Sequence, residues 1–467
     1  HRSRVNVRGI FGLVFVLALP FTSLDAQDRV PESPAEISLS FAPVVREAAP
    51  AVVNIYAKVV RPGRPSLFQD DPFFSDFFRN FGQSRPRVQN SLGSGVILTE
   101  RGIVVSNYHV VGRATDIRVV LSDRREFSAR VLLGDEESDL AILQLEDGDG
   151  LPFLELRDSD RVEVGELVLA IGNPFGVGQT VSSGIVSGLA RTSSAAGNSR
   201  GYFIQTDAPI NPGNSGGALV DIFGRLIGIN TSILSRSGGS NGIGFAIPAN
   251  LVAQFVEQAE RGAVRFERPW AGIVGQVVAS DLAESLGMEI PRGLLISDIH
   301  PASPFADRGF EIGDVITHVD GLEVNSPSEL IFRMSVTGIG DDVRITRLRG
   351  RAMDDIEVVM ITPPNVPPSD VFTLGNRALL PGLQVARINP MRIEEFQLPF
   401  SAEGVLVIEA GRIAARVGLK RGDVIFGLNG QRIETSDDLV QALARSGQHV
   451  QIELLRHNRR VVLRFWT

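Results

Sequence analysis

The stretch GNSGGALVD, residues 213–221, sets Ser215 between Gly213-Asn214 and Gly216-Gly217. A serine flanked by small residues is presented with little side-chain obstruction, and the N–H groups beside it can converge on one carbonyl oxygen. The pattern also satisfies G-x-S-x-G, the elbow on which an α/β sheet presents a nucleophile. That elbow needs a buried strand before the serine and a helix after it. Here TDAPINP, rich in turn formers, precedes the stretch, and ALVDIFGRLIGI continues from it as strand, turn and strand. The local pattern is that of an antiparallel β protein.

A serine hydroxyl attacks only when a base takes its proton. Of six histidines, His1 and His109 alone precede Ser215; the others fall in a region of different character. His109 follows the apolar run Ile103-Val104-Val105, where a strand gives way to a turn or short helix. By itself a histidine beside Val110 and Val111 is more often a core residue. An acid must also orient the imidazole. Asp139 opens the strand-like run LAILQL, whereas Asp135, Glu136 and Glu137 lie in the polar turn before it; a strand-start cap is the competing reading of Asp139. Chain order discriminates where single residues do not. His109, Asp139 and Ser215 run His, Asp, Ser, the order of chymotrypsin-like double barrels.

Residues 90–250 bear this out with short β-type runs broken by glycine, the spacing of antiparallel barrels. ANLVAQFVEQAERG then reads as an amphipathic helix with Leu251, Phe255 and Ala259 on one face, followed by a hinge near 265–269. Downstream of the serine, Ile229, Thr231, Ser232 and Ile233 form a strand and loop able to hold a peptide by strand addition and an apolar pocket. With Gly213 and Asn214 they are the candidate substrate-binding residues. No acid stands in that stretch, so the expected preference is for small or medium aliphatic side chains rather than Lys or Arg.

NSLGSGVIL (90–98), SNYHVV (106–111), SDLAILQL (138–145), AIGNPFG (170–176), QTDAPINPGNSGGALVD (205–221) and NGIGFAIP (241–248) together resemble the HtrA/Deg serine proteases. The resemblance implies a mainly β fold: a chymotrypsin-like double β-barrel followed by two small α+β PDZ domains. It implies His109 as general base, Asp139 as orienting acid, Ser215 as nucleophile, and an oxyanion hole from the N–H groups of Gly213 and Ser215. No metal or cofactor is implied. The expected substrates are unfolded or misfolded envelope proteins, degraded without ATP and also held in a chaperone-like way, by a homotrimer or larger cage. Competing expectations are a membrane-anchored, site-specific regulatory protease and a proteolytically inert PDZ scaffold.

The last two hundred residues carry an internal repeat. EIGDVITHVDGLEV (311–324) aligns with KRGDVIFGLNGQRI (420–433), and RGLLISDI (292–299) with EGVLVIEA (403–410). Each copy resembles a PDZ domain, which captures peptide C-termini by strand addition with the carboxylate held by a Gly-containing loop. Ala271, Gly272 and Ile273 are the candidate loop in the first copy, where the small Ala271 departs from the commoner leucine. Pro381-Gly382-Leu383 is a poorer match in the second. The expected domains are a protease domain over 41–262, a first PDZ domain over 266–362, a Pro-rich linker over 363–373 and a second PDZ domain over 374–467.

At the other end, Arg2, Arg4 and Arg8 precede the apolar run 9–19 and a cleavage-like Leu24-Asp25-Ala26, which reads as a signal peptide over 1–26 and places the mature chain in the periplasm. The run falls short of the ~20 residues that span a bilayer; an uncleaved inner-membrane anchor is the alternative. Residues 27–40 read as a flexible segment. An insertion over 61–90 carries Phe74, Phe77, Phe78 and Phe81 at helical spacing, an apolar face suited to contacts between subunits. The chain has no cysteine, so its folding must rest on packing. A net charge of −8 without a basic stripe argues against a nucleic-acid partner.

Overall fold

A computed structural model describes residues 40–60, 88–173, 178–191, 202–211, 213–233 and 242–466. The expected signal peptide and the phenylalanines of the insertion lie outside the described residues. Six strands, β1 (Val52–Val60), β2 (Val88–Ile97), β3 (Ile103–Ser106), β4 (Asp116–Val120), β5 (Glu126–Asp135) and β6 (Leu140–Leu145), close into a barrel in the order β1-β2-β3-β6-β5-β4. Alternation of side chains turns Val53, Ile55, Val104, Val119 and Leu143 into its interior. A second barrel follows from β7 (Leu167–Gly172), β8 (Thr180–Arg191), β9 (Phe203–Thr206), β10 (Ala218–Asp221), β11 (Leu226–Ile233) and β12 (Gly244–Pro248), in the order β10-β11-β12-β9-β8-β7. Val168, Ala170, Val186, Ile204, Leu219 and Ile227 pack inside it. The fold is the double barrel expected from the sequence, and closure leaves neither sheet an open edge.

The helix Ala249–Glu260 leaves β12 and packs against β5 and β6 of the first barrel as well as β11 and β12 of the second. It therefore ties the two barrels together from behind. Phe255 and Ala259 are buried as its periodicity requires, but the inner position near its start is Val252; Leu251 is half-buried. Leu251 instead lines a cleft with Tyr202, Phe266, Ile331 and Phe332. Two neighbouring positions on a helix lie about 100° apart, and here each meets a different partner.

Two further antiparallel sheets complete the chain. The first contains β13 (Ile273–Val277), β14 (Leu294–Ile299), β15 (Val315–Val319), β16 (Leu322–Glu323), β17 (Asp342–Arg349) and β18 (Ala352–Val359). The second contains β19 (Val371–Thr373), β20 (Gln384–Arg387), β21 (Val405–Glu409), β22 (Val424–Leu428), β23 (Gln431–Arg432), β24 (His449–Arg456) and β25 (Arg459–Trp466). Val371–Thr373, the end of the stretch read as a linker, pairs with β20.

The sequence repeat becomes a repeat of contacts. Asp314 and Asp423, the acids of the two G-D-V-I motifs, are buried and accept from Arg349 and Arg456 respectively. Those arginines also donate to the carbonyls of Gly309 and Gly418. A buried carboxylate needs such pairing to offset its lost hydration. The same correspondence reaches the helix caps: Ser326 accepts from Glu329 N at the start of Pro327–Thr337, and Thr435 accepts from Asp438 N at the start of Ser436–Ala444.

Candidate active site at the seam of two barrels

Strand register brings His109 and Asp139, the candidate base and acid, together. β3 pairs antiparallel with β6 so that Ser106 lies opposite Ala141. The residues just after β3 and just before β6 therefore emerge at the same end. Asn107 follows β3, and the single helical turn Tyr108–Val111 sinks Val110 and Val111 into the barrel and presents His109 outward. Asp139 takes φ 53°, a left-handed conformation that aspartate tolerates better than most residues. Its carbonyl is gripped by Tyr108 N at 3.1 Å and Asn107 Nδ2 at 3.0 Å.

The Asp139 carboxylate binds the histidine twice over. Oδ1 accepts from His109 N at 3.0 Å, and Nδ1 stands 2.9 Å from both Oδ1 and Oδ2. A carboxylate only accepts, so Nδ1 carries the proton and the basic lone pair resides on Nε2. Thr231 Oγ1 donates to Oδ2 at 2.6 Å, a third hold on the acid.

The second barrel supplies the serine. Ser215 lies in the tight loop before β10, 5% exposed, and its Oγ donates to the Thr231 carbonyl at 3.2 Å. Thr231 on β11 thus touches both the acid, through its hydroxyl, and Ser215, through its carbonyl. The glycines of the motif have steric reasons. Gly213 sits at φ 101°, and a Cβ on Gly216 would fall 2.1 Å from the Ser94 carbonyl oxygen and 2.6 Å from Ser106 Oγ. Around the loop, Asn214 N donates to Asn211 O, Gly216 N to Asn230 O and Gly217 N to Asn214 O. Among the described residues, the N–H groups of Gly213 and Ser215 donate to none of their neighbours.

The other residues singled out in the sequence fall in different settings. Asn214 is 1% exposed and Ile229 fully buried, and Ser232 and Ile233 belong to β11 with their side chains outside the described residues. Thr231, expected at the substrate, is also a structural bridge. Sequence reasoning assigned no role to Ser94, although a serine between two glycines in a buried β run is out of keeping with its surroundings. In the first repeat, Gly272 at φ 62° directly precedes β13, an end strand of its sheet. Ala271 O accepts from Ser303 Oγ and Gly272 O from His300 N. The His300 ring contacts Trp270 and Phe400 edge-on, and burial holds its imidazole below the ordinary histidine value.

The site is also bolted to the first repeat. Arg268 donates to Asp135 and, at 2.7 Å, to Ser138 Oγ, in the turn that leads to Asp139. Arg333 pairs with Asp160 and donates to Tyr202 Oη at 2.9 Å, while Phe332 stacks on Tyr202 at 3.9 Å.

Comparison with known proteins identifies the domains. Residues 93–229 match the trypsin-like peptidase domain, and residues 259–360 and 404–456 each match a PDZ domain. The chain is 38% identical to a probable periplasmic serine protease do/HhoA-like of Haemophilus influenzae, covering 94% of both chains. It is 37% identical to the periplasmic serine endoprotease DegP of Escherichia coli, over 91% of this chain and 92% of the relative. For the periplasmic pH-dependent serine endoprotease DegQ of the same organism the identity is 36%, over 91% and 90%. Among solved structures, the HtrA-type protease AlgW with tripeptide aligns at a TM-score of 0.53 and 39% identity, covering 70% of this chain and 98% of that one. The resemblance in sequence, the double barrel and the two PDZ domains lead to one conclusion: the chain belongs to the HtrA/Deg family of serine proteases.

Proposed function

We propose that His109, Asp139 and Ser215 form the triad of this protease, with His109 Nε2 taking the Ser215 proton as Oγ attacks the peptide carbonyl. The observation that carries the reading is the double hold of Asp139 on His109, which fixes both the ring's position and its tautomer. The N–H groups of Gly213 and Ser215 stabilise the tetrahedral oxyanion, and water then releases the acyl-enzyme. In the resting arrangement Ser215 Oγ is held by the Thr231 carbonyl, so attack begins with rotation of that hydroxyl toward the imidazole.

The substrates are unfolded or misfolded polypeptides of the cell envelope, degraded as quality control and held in a chaperone-like manner. Relatives named as periplasmic support this setting, as does the leader-like 1–26 segment; no helix among the described residues is long and apolar enough to cross a membrane. The loop Ala271-Gly272-Ile273 and the outer edge of β13 receive a substrate C-terminus by strand addition. AlgW, a relative solved with bound peptides, supports peptide recognition here. Gly213, Asn214, Thr231, Ser232 and Ile233 surround the scissile residue, with the fully buried Ile229 backing them, and the working form is a homotrimer or larger cage.

Degradation of unfolded casein by the wild type and by Ser215→Ala tests the reading. The expected loss is on the order of 10⁶ in turnover. Equal proteolysis by the two proteins would overturn it.

A further inference from the structure

The hydroxyl of Ser94 is fully buried on β2, in the first barrel, yet both partners of that hydroxyl belong to the second. Its Oγ donates to Gly213 O at 2.6 Å and accepts from Asn173 N at 2.8 Å. Its backbone N–H donates to Ser215 O at 2.9 Å. Ser106 Oγ, also fully buried, donates to Ser94 O at 2.7 Å, so the clamp is itself held from behind.

These bonds seize the two carbonyls on either side of one short span. Gly213 O and Ser215 O are fixed, and between them lies the peptide whose N–H is that of Ser215. Gly213 has the left-handed φ of 101° and no Cβ to limit rotation, so the plane of its following peptide is set by bonds at its two ends, the Asn214 N–H donating to Asn211 O at 3.0 Å and the Gly213 carbonyl accepting from outside the loop. The second of these holds is the buried Ser94 hydroxyl, which comes from the other barrel. An oxyanion hole works only when its donors already face the developing charge, because turning them during the reaction costs reorganisation energy. The Cβ-free space at Gly216 lets the Ser94 carbonyl and the Ser106 hydroxyl come this close.

We infer that Ser94 is a positioning residue for the oxyanion hole, a side-chain clamp from the first barrel that holds the Gly213–Ser215 loop of the second in its donor-presenting form. The inference rests on the roles proposed above for Gly213 and Ser215. Ser94 touches neither substrate nor the reacting atoms; it acts through the loop. Its hydroxyl is separable from its backbone, since Ser94→Ala removes the bonds to Gly213 O and Asn173 N and keeps the N–H bond to Ser215 O.

The test compares wild type, Ser94→Ala and Ser215→Ala in hydrolysis of a chromogenic peptide, in inhibition by a peptide boronate that mimics the tetrahedral state, and in thermal melting. Ser94→Ala is expected to lose about 10- to 100-fold in kcat with KM within about threefold, because only the transition state uses the hole. Boronate affinity should fall in step with kcat/KM, and the acid limb of the pH profile should stay in place because His109 and Asp139 are untouched. A merely structural role would lower the melting temperature and the amount of active enzyme without weakening the boronate on the molecules that remain folded. Wild-type kcat and boronate affinity in Ser94→Ala would overturn the inference while leaving the triad intact. An inactive wild type, or an active Ser215→Ala, would instead overturn the reading on which it rests. Should Ser94→Ala melt below the assay temperature, Ser106→Ala loosens the same clamp from behind. It is then expected to lose about threefold in kcat and boronate affinity alike, and no loss in either would count against the clamp.

Discussion

The seam between the two barrels and the seam between the barrels and the first PDZ domain are built from different chemistry. The first is made of hydroxyls, backbone groups and one carboxylate: Ser94, Ser106, Ser215, Thr231 and Asp139 meet in bonds of 2.6–3.2 Å. Its members are short side chains on strands or in the tight turns beside them, with little freedom to lose. The second rests on long cations: Arg268 on Asp135 and Ser138, Arg333 on Asp160, and a Phe332–Tyr202 stack. These guanidinium pairs keep only 10–21% side-chain exposure, so they hold while both partners are present and give way when one is removed. The first seam is suited to holding atoms still, and the second to letting a domain be held or released. Because Asp135 and Ser138 lead directly into Asp139, the adjustable seam ends beside the rigid one.

Breaking the first seam should cost most. Asp139→Asn leaves the fold intact but removes the charge and the tautomer control over His109, for an expected fall on the order of 10⁴ in kcat, measured on a peptide substrate. Thr231→Val keeps the carbonyl that receives Ser215 Oγ and deletes only the donor to Asp139. A hydrogen bond to a charged group contributes about 1.5–3 kcal/mol, part of which water replaces, so a loss of roughly tenfold is expected. A loss as large as that of Asp139→Asn would mean that the hydroxyl does more than support the acid.

The second seam should give smaller effects on chemistry and clearer ones on docking. Arg333→Ala leaves Asp160 with its bond from Asn250 but no cation, and exposes the Phe332–Tyr202 stack. The expected result is faster protease nicking of the 262–269 connection, with kcat changed less than about threefold when the site is saturated. Raising the salt concentration should mimic this weakly in the wild type, because screening acts on the partly exposed ion pairs and hardly on buried hydroxyl contacts. Salt that abolished active-site labelling while domain docking persisted would reverse the contrast drawn between the seams.

The parts of this molecule legible in the sequence are those set by local pattern or order along the chain. His109 after a strand, Asp139 at the head of another and Ser215 in a glycine turn announced a double barrel, and the copied G-D-V-I core announced two related domains. What escaped notice depends on contacts across long separations. Ser94 and Gly213 are 119 residues apart, and Arg333 and Tyr202 are 131 apart; neither pair leaves a periodic trace. The face of the helix Ala249–Glu260 was read one position off near its start because that helix has two neighbours, and a single apolar stripe describes only one. Thr231 was read by its nearness to the substrate strand, whereas its hydroxyl serves the acid.

The central claim is that the imidazole of His109 activates the hydroxyl of Ser215. Labelling with a fluorophosphonate followed by peptide mass mapping tests it most directly. The account predicts one adduct, on the peptide bearing Ser215, formed rapidly by the wild type and lost in His109→Ala at equal thermal stability. An adduct on another residue, or labelling of Ser215 undiminished in His109→Ala, would contradict it.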